Sequence, residues 1–404
     1  MRNTIYILTI LMIGFIGADR VNFFPDSFEY FIFTPFILTA LIFNSFVFIF
    51  HIDKLNFDWL EKISITFMLY FLTLIISIFF SIDIYLSLKR FILILFIIIT
   101  SLIMLSYYST KQLVNILVKS SILGSIIFYL FNFILALNWF SYLDINSSMI
   151  NFKPDEIAYF VPRLGGYSSD VNRGTVILLF FTYIIYFFSD KNKLINIILF
   201  MNSIFILFSF SRTVYLMIFM VFLFYFFNNK QNIRIKLIKY LSFLSSIFII
   251  ITFLLHFYEY INIELTVKER LDIFDFSRFS SSGIHLKLIV EGIITAFNDI
   301  KILFLGSGHG TSYMLIDGYY WSGSKYGNYH SMYITSLVES GFINSLLLLL
   351  LTFIFPLHSS NKNFLTPIIF GLFFFNVFYQ LNSEPIFWFI IFLFYKFNFN
   401  LENE

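Results

Sequence analysis

Cysteine is absent from the 404 residues, which removes disulfide frameworks and thiol chemistry from consideration. Charge is scarce: Asp, Glu, Lys and Arg make up 12% of the chain, against about 25% in a soluble domain. The formal net charge of +2 says nothing about nucleic acid, but no basic run or RNA-binding signature occurs, so that partner class is unsupported. No internal repeat relates one half to the other, which counts against a carrier built from inverted repeats. No polar segment is long enough to carry a nucleotide-binding domain. What fills the chain instead is apolar. Hydrophobic residues reach 59%, Phe alone contributes 61, and the mean hydropathy is +0.85. This is the composition of an all-α polytopic membrane protein, and most of its aromatics are expected to face lipid or pack the core.

Apolar runs near membrane length predict about twelve transmembrane helices. They lie at 4–18, 30–50, 63–80, 91–108, 113–139, 174–188, 194–209, 212–227, 237–257, 331–356, 364–380 and 385–399. The N-terminal run follows Arg2 without a convincing cleavage site and reads as a retained first helix. Lys230, Arg234, Lys236 and Lys239 mark their loop as cytoplasmic. Counting outward from it leaves both termini cytoplasmic and turns 140–173 and 258–330 outward. The chain therefore divides into 1–257, nine spans with the outer loop 140–173; 258–330, a large extracytoplasmic loop; and 331–404, three more spans. Lys89 and Arg90 break the charge pattern by sitting on the outer side, either as snorkelling cations or as holders of an anion.

The outward segments carry the polar chemistry. In "FVPRLGGYSSDVNRG", Arg163 and Arg173 flank a Gly-Gly turn, with Asp170 and Asn172 between them. A guanidinium at a membrane mouth stays charged and can grip phosphate through two donors. Arg212, in "FSRT", lies between two apolar runs, where a charge needs a partner or a polar cavity. In "SSGIHLKLIVEGIITAFNDIKILFLGSGHGTS", Ile284, Leu288, Ile289, Ile293, Ala296 and Phe297 share one helical face, which predicts an amphipathic surface helix. "GSGHG" lacks the strand before it and the Lys-Ser/Thr tail of a nucleotide loop. It reads better as a turn that brings His309 or backbone amides over a site. His330 stands where the chain re-enters the membrane, with Glu339 and Gly341 on the following helix. A neutral imidazole there can take a proton from a hydroxyl or bond a phosphate.

In this order the four stretches resemble the O-antigen polymerase/O-antigen ligase superfamily of bacterial GT-C-type membrane glycosyltransferases. His330, Ser331 and Gly341 match the ligase pattern, while Asn344 departs from its final position and Ile284 stands where relatives often carry Arg. The resemblance implies an undecaprenyl-diphosphate-linked glycan donor and a glycan acceptor at the outer face of the bacterial inner membrane. It implies Arg163 and Arg212 on the pyrophosphate, Lys89 or Arg90 assisting, and His330 as base or acceptor orienter. Arg173, Asp170, Lys287 and Glu339 are further substrate-binding candidates. No Asp-x-Asp cluster occurs in the outer segments, so no metal and no cofactor is expected. A polymerase of lipid-linked repeat units is the leading expectation, with a chain-length regulator and a flippase as partners. The alternatives are a ligase onto lipid A-core and, from another class, a lipid-linked oligosaccharide flippase.

Overall fold

The structure, a computed structural model, describes residues 2–24, 33–143, 147, 149–151, 155–158, 161–190, 192–228, 281–316, 327–359 and 363–403. The expected span 237–257, the basic loop before it and most of the first part of the 258–330 loop lie outside the described residues.

The protein is a helical membrane protein. Its helices are α1 (Arg2–Gly14), α2 (Pro35–Phe50), α3 (Ser64–Phe79), α4 (Ile84–Tyr107), α5 (Thr110–Trp139), α6 (Val171–Phe188), α7 (Lys193–Leu207) and α8 (Arg212–Asn228). After the undescribed stretch come α9 (Ser281–Asn298), α10 (Ile300–Leu305), α11 (Met332–His358), α12 (Thr366–Val377) and α13 (Pro385–Asn403). Among the described residues five helices are long and apolar enough to cross a membrane: Asp58–Phe79, Ile84–Tyr107, Thr110–Trp139, Val171–Phe188 and Met332–His358. Six more apolar helices are shorter. Among the described residues the all-helical expectation is interrupted by one short hairpin and by an isolated antiparallel bridge between Val21 and Ile150. β1 (Asp155–Ala158) and β2 (Val161–Arg163) form an antiparallel hairpin with Asp155 opposite Arg163.

Local sequence sets the helix starts. Thr34 accepts from the Ile37 amide ahead of Pro35, Asp83 from Leu86, Asp170 from Arg173 and Asn192 from Ile195, each satisfying a first-turn donor that has no partner within its helix. Ser109 and Gln112 form a reciprocal capping box on α5.

The core gathers around α13. From Ile386 to Phe394 no side chain is more than 1% exposed. A helix that is apolar all round has to be enclosed by its neighbours, and α13 packs on α4, α5, α12 and the 3-10 turn that precedes α3. α3 instead leaves Ile65, Met68 and Phe79 more than 70% exposed, a lipid-facing stripe. Buried amides stitch helices together across the apolar interior: Asn44 donates to Thr100 at 2.8 Å, Asn202 to Ser125 at 3.2 Å, and Asn344 to Thr73 at 2.8 Å.

The connections segregate to two ends of the bundle. At one end Arg20 donates to the Ser168 carbonyl at 2.8 Å, Ile82 N to Ser307 O at 2.8 Å and Met332 N to Tyr379 O at 2.9 Å. At the other, Asn56 N reaches Ser106 O at 3.2 Å and Asn363 donates to Phe394 O at 3.1 Å. The first end holds the site.

Candidate functional site

Loop 306–310 is built by glycine. Gly306, Gly308 and Gly310 have φ of 78°, 107° and 79°, a left-handed run that only glycine adopts without strain. The partner of this loop is a break in α11. Gly341, at φ 84°, is non-helical and interrupts the ladder, so carbonyls upstream lose their intrahelical amides. Ser307 N takes the Val338 carbonyl at 2.8 Å and Gly308 N takes that of Glu339 at 2.9 Å. A Cβ on Gly341 would stand 2.4 Å from Phe304 O, and one on Gly306 would stand 2.2 Å from Glu339 O. Loop and helix break are therefore mutually exclusive with bulkier residues.

This joint lies in the wall of a cavity of about 560 Å³ where the ends of α1, α2, α4, α6, α11, α12 and α13 meet. Phe36, Ile37, Leu93 and Ile97 make an apolar side. The polar side carries Arg90, Arg173, His309 and His330 together with Asp19, Asp170, Glu339 and Glu384. Two guanidinium groups thus face four carboxyl groups, and the carboxyl groups are engaged. Asp19 and Glu384 both pair with Arg173, whose Nε also donates to Ser168 Oγ at 2.9 Å. Asp170 accepts from the Arg173 amide at 3.0 Å. Glu339 accepts from Ser312 Oγ at 2.7 Å and faces His309, Nδ1 to Oε2, at 3.3 Å. That last contact is not aligned as a hydrogen bond, and the Gly310 amide also bears on the carboxylate. Both residues are buried, at 3% and 2%.

His330 has a left-handed backbone, φ 49°, which is uncommon outside glycine and marks a held conformation. Its amide donates to Asn328 Oδ1 at 2.8 Å, and its ring stacks on His285 with centroids 3.9 Å apart. Burial pushes the imidazole below the ordinary histidine range, with Asp170 pulling the other way. A neutral ring is the form that can accept a proton.

The structure brings together, in one wall, His330, Arg90, Arg173, Asp170 and Glu339 from the sequence-predicted set. Arg163 and Arg212 are not part of that wall. Arg163, on β2, is 9% exposed, and its Nε and Nη2 reach Ser209 O and Asn172 Oδ1, each at 3.4 Å. Ser211, which precedes Arg212 at the start of α8, donates to the same Asn172 at 2.7 Å. The two segments thus meet around Asn172, next in sequence to Arg173. Lys89 and Lys287 are exposed and outside the cavity lining. The amphipathic segment forms α9, but its buried stripe is Leu288 and Ala296 against α11, while Phe297 is 66% exposed.

Asp19, Glu384 and His285 escaped the sequence reading. Asp19 and Glu384 stand alone in short connections, 154 and 211 positions from Arg173. His285 follows Ile284, the position at which the resembled pattern carries arginine, and that irregularity was its one signal. In comparison with known proteins, the chain matches no protein-family model and no curated protein sequence.

Proposed function

We propose that the protein is a bacterial inner-membrane glycosyltransferase of about twelve spans. It joins undecaprenyl-diphosphate-linked repeat units into O-antigen, capsular or exopolysaccharide chains on the outer side. The supporting observation is the cavity itself: an apolar side at Phe36, Ile37, Leu93 and Ile97 meets a polar side bearing Arg90 and two imidazoles, with Arg173 held by Asp19 and Glu384. That pairing suits a substrate whose lipid end is apolar and whose reacting end is an anion joined to a sugar. A fixed guanidinium near the departing diphosphate would offset charge that grows as the glycosidic bond breaks. Engaged carboxylates such as Asp170 and Glu339 suit sugar hydroxyls better than a second anion. The acceptor hydroxyl attacks the anomeric carbon, its proton passes to an imidazole, and the lipid diphosphate leaves with the bonding pair.

In this reading both termini are cytoplasmic and a flippase supplies the donor. Deletion in the native host should collapse surface polysaccharide to single-repeat length; chains of normal length would refute the role. The His330–Ser331–Gly341 pattern favours a ligase as the second reading, and polymer accumulating on its undecaprenyl carrier in the deletion strain would select it.

A further inference from the structure

Resting on that glycosyltransferase reading, we infer that His309 is the catalytic base for the acceptor hydroxyl and that Glu339 is the residue that positions it. The pair has the build of an oriented imidazole. Ser312 Oγ occupies Glu339 Oε1 at 2.7 Å, which leaves Oε2 to the His309 ring, 3.3 Å away. A carboxylate on Nδ1–H fixes the tautomer, so Nε2 keeps the lone pair that takes the proton. Loose alignment of this kind before substrate seats is common in catalytic pairs. The backbone holds both partners in one unit, because the amides of Ser307 and Gly308 are bonded to the carbonyls of Val338 and Glu339.

His330 is built for a different task. Its ring face is covered by His285, and burial lowers its proton affinity. With that face covered, it suits a hydrogen bond to the acceptor or donor sugar. The other ionisable groups of the wall are Asp19, Arg90, Asp170, Arg173, Tyr313, Tyr379 and Glu384. In the step, the acceptor O–H bond breaks as oxygen bonds the anomeric carbon. The proton goes to His309 Nε2, and the bond from the anomeric carbon to the diphosphate oxygen breaks with its electron pair on the diphosphate. Glu339 stabilises the imidazolium until the proton passes to water.

The test uses the full-length protein in liposomes, supplied with an undecaprenyl-diphosphate-linked repeat unit. Wild type should elongate the glycan. His309→Ala and His309→Gln should each lower kcat about 100-fold with KM for the donor unchanged. Glu339→Gln should lower kcat with KM for the donor unchanged, and Glu339→Asp should restore part of the rate. Two independently folded His309 variants that elongate at the wild-type rate would overturn the assignment while leaving the glycosyltransferase reading intact. A wild-type protein that makes no polymer from any such donor would overturn that reading, and this assignment with it.

Discussion

Arg163 and Arg90 separate two jobs that an arginine can do at a membrane mouth. Arg163 is buried and donates to Ser209 O and Asn172, so it ties the hairpin to the start of α8. Removing it strands buried acceptors, at a cost of about 1–3 kcal/mol. Arg163→Ala should therefore lower the unfolding midpoint in detergent as well as polymer yield. Arg90 lines the cavity beside Gly310. Arg90→Ala should lower turnover at least about tenfold, or about 1.4 kcal/mol of transition-state stabilisation, with a smaller loss of midpoint than Arg163→Ala. Equal loss of midpoint in both variants would show that the two side chains serve the same structural end. His330 gives a pH signature of its own. Its folded pKa lies below the unfolded value, so just below pH about 6.5 the unfolded chain binds more protons than the folded one. Stability from this group is then present above that value and falls as the medium is acidified through the window. His330→Gln should flatten the slope of thermal stability between pH 5 and 7; an unaltered slope would assign it to other groups. The types of these residues were legible in the sequence, because arginine and histidine at apolar boundaries are costly without a reason. Their partners were not. Nothing local in the chain announces that Arg173 will meet Asp19 and Glu384 rather than a phosphate.

At the scale of elements, the break in α11 does the most. The apolar run from 331 onward was legible as a span, but its interruption was not, since glycine is frequent in transmembrane helices without breaking them. Only the docked loop reveals why Gly341 is needed: φ 84° and a neighbour, Phe304 O, where a Cβ would stand. Gly341→Ala should destabilise the protein by roughly 1–3 kcal/mol, the cost of forcing an L-residue into a sparsely populated backbone region, and should uncouple loop 306–310 from the helix. Hydrogen exchange at the amides of Ser307 and Gly308 would report the uncoupling directly; protection equal to wild type would contradict it. Asn344 makes the same point in reverse. It departs from the resembled pattern, yet it bonds Ser336 across the break and Thr73 and the Tyr70 carbonyl on α3, so it spans the break and ties the following segment of α11 to α3.

For the whole molecule, the cysteine-free chain offers a direct reading of sidedness. Tyr142 is 78% exposed after α5, at the cavity end, and Asp53 is exposed at the opposite end. A membrane-impermeant thiol reagent should label Tyr142→Cys in intact spheroplasts and Asp53→Cys only after permeabilisation. The reverse pattern would put the cavity in the cytoplasm and remove the polymerase reading. Hydropathy made the membrane class legible because it needs only composition, whereas the burial of α13 depends on which helices surround it. That burial has a consequence for how the protein is made. Every other described helix leaves the ribosome before α13, so the earlier spans must wait in the bilayer around a vacant slot. Until Trp388 and its neighbours arrive, the bundle lacks its axis, and a premature stop shortly before residue 385 should yield a chain handed to quality control rather than a shortened membrane protein.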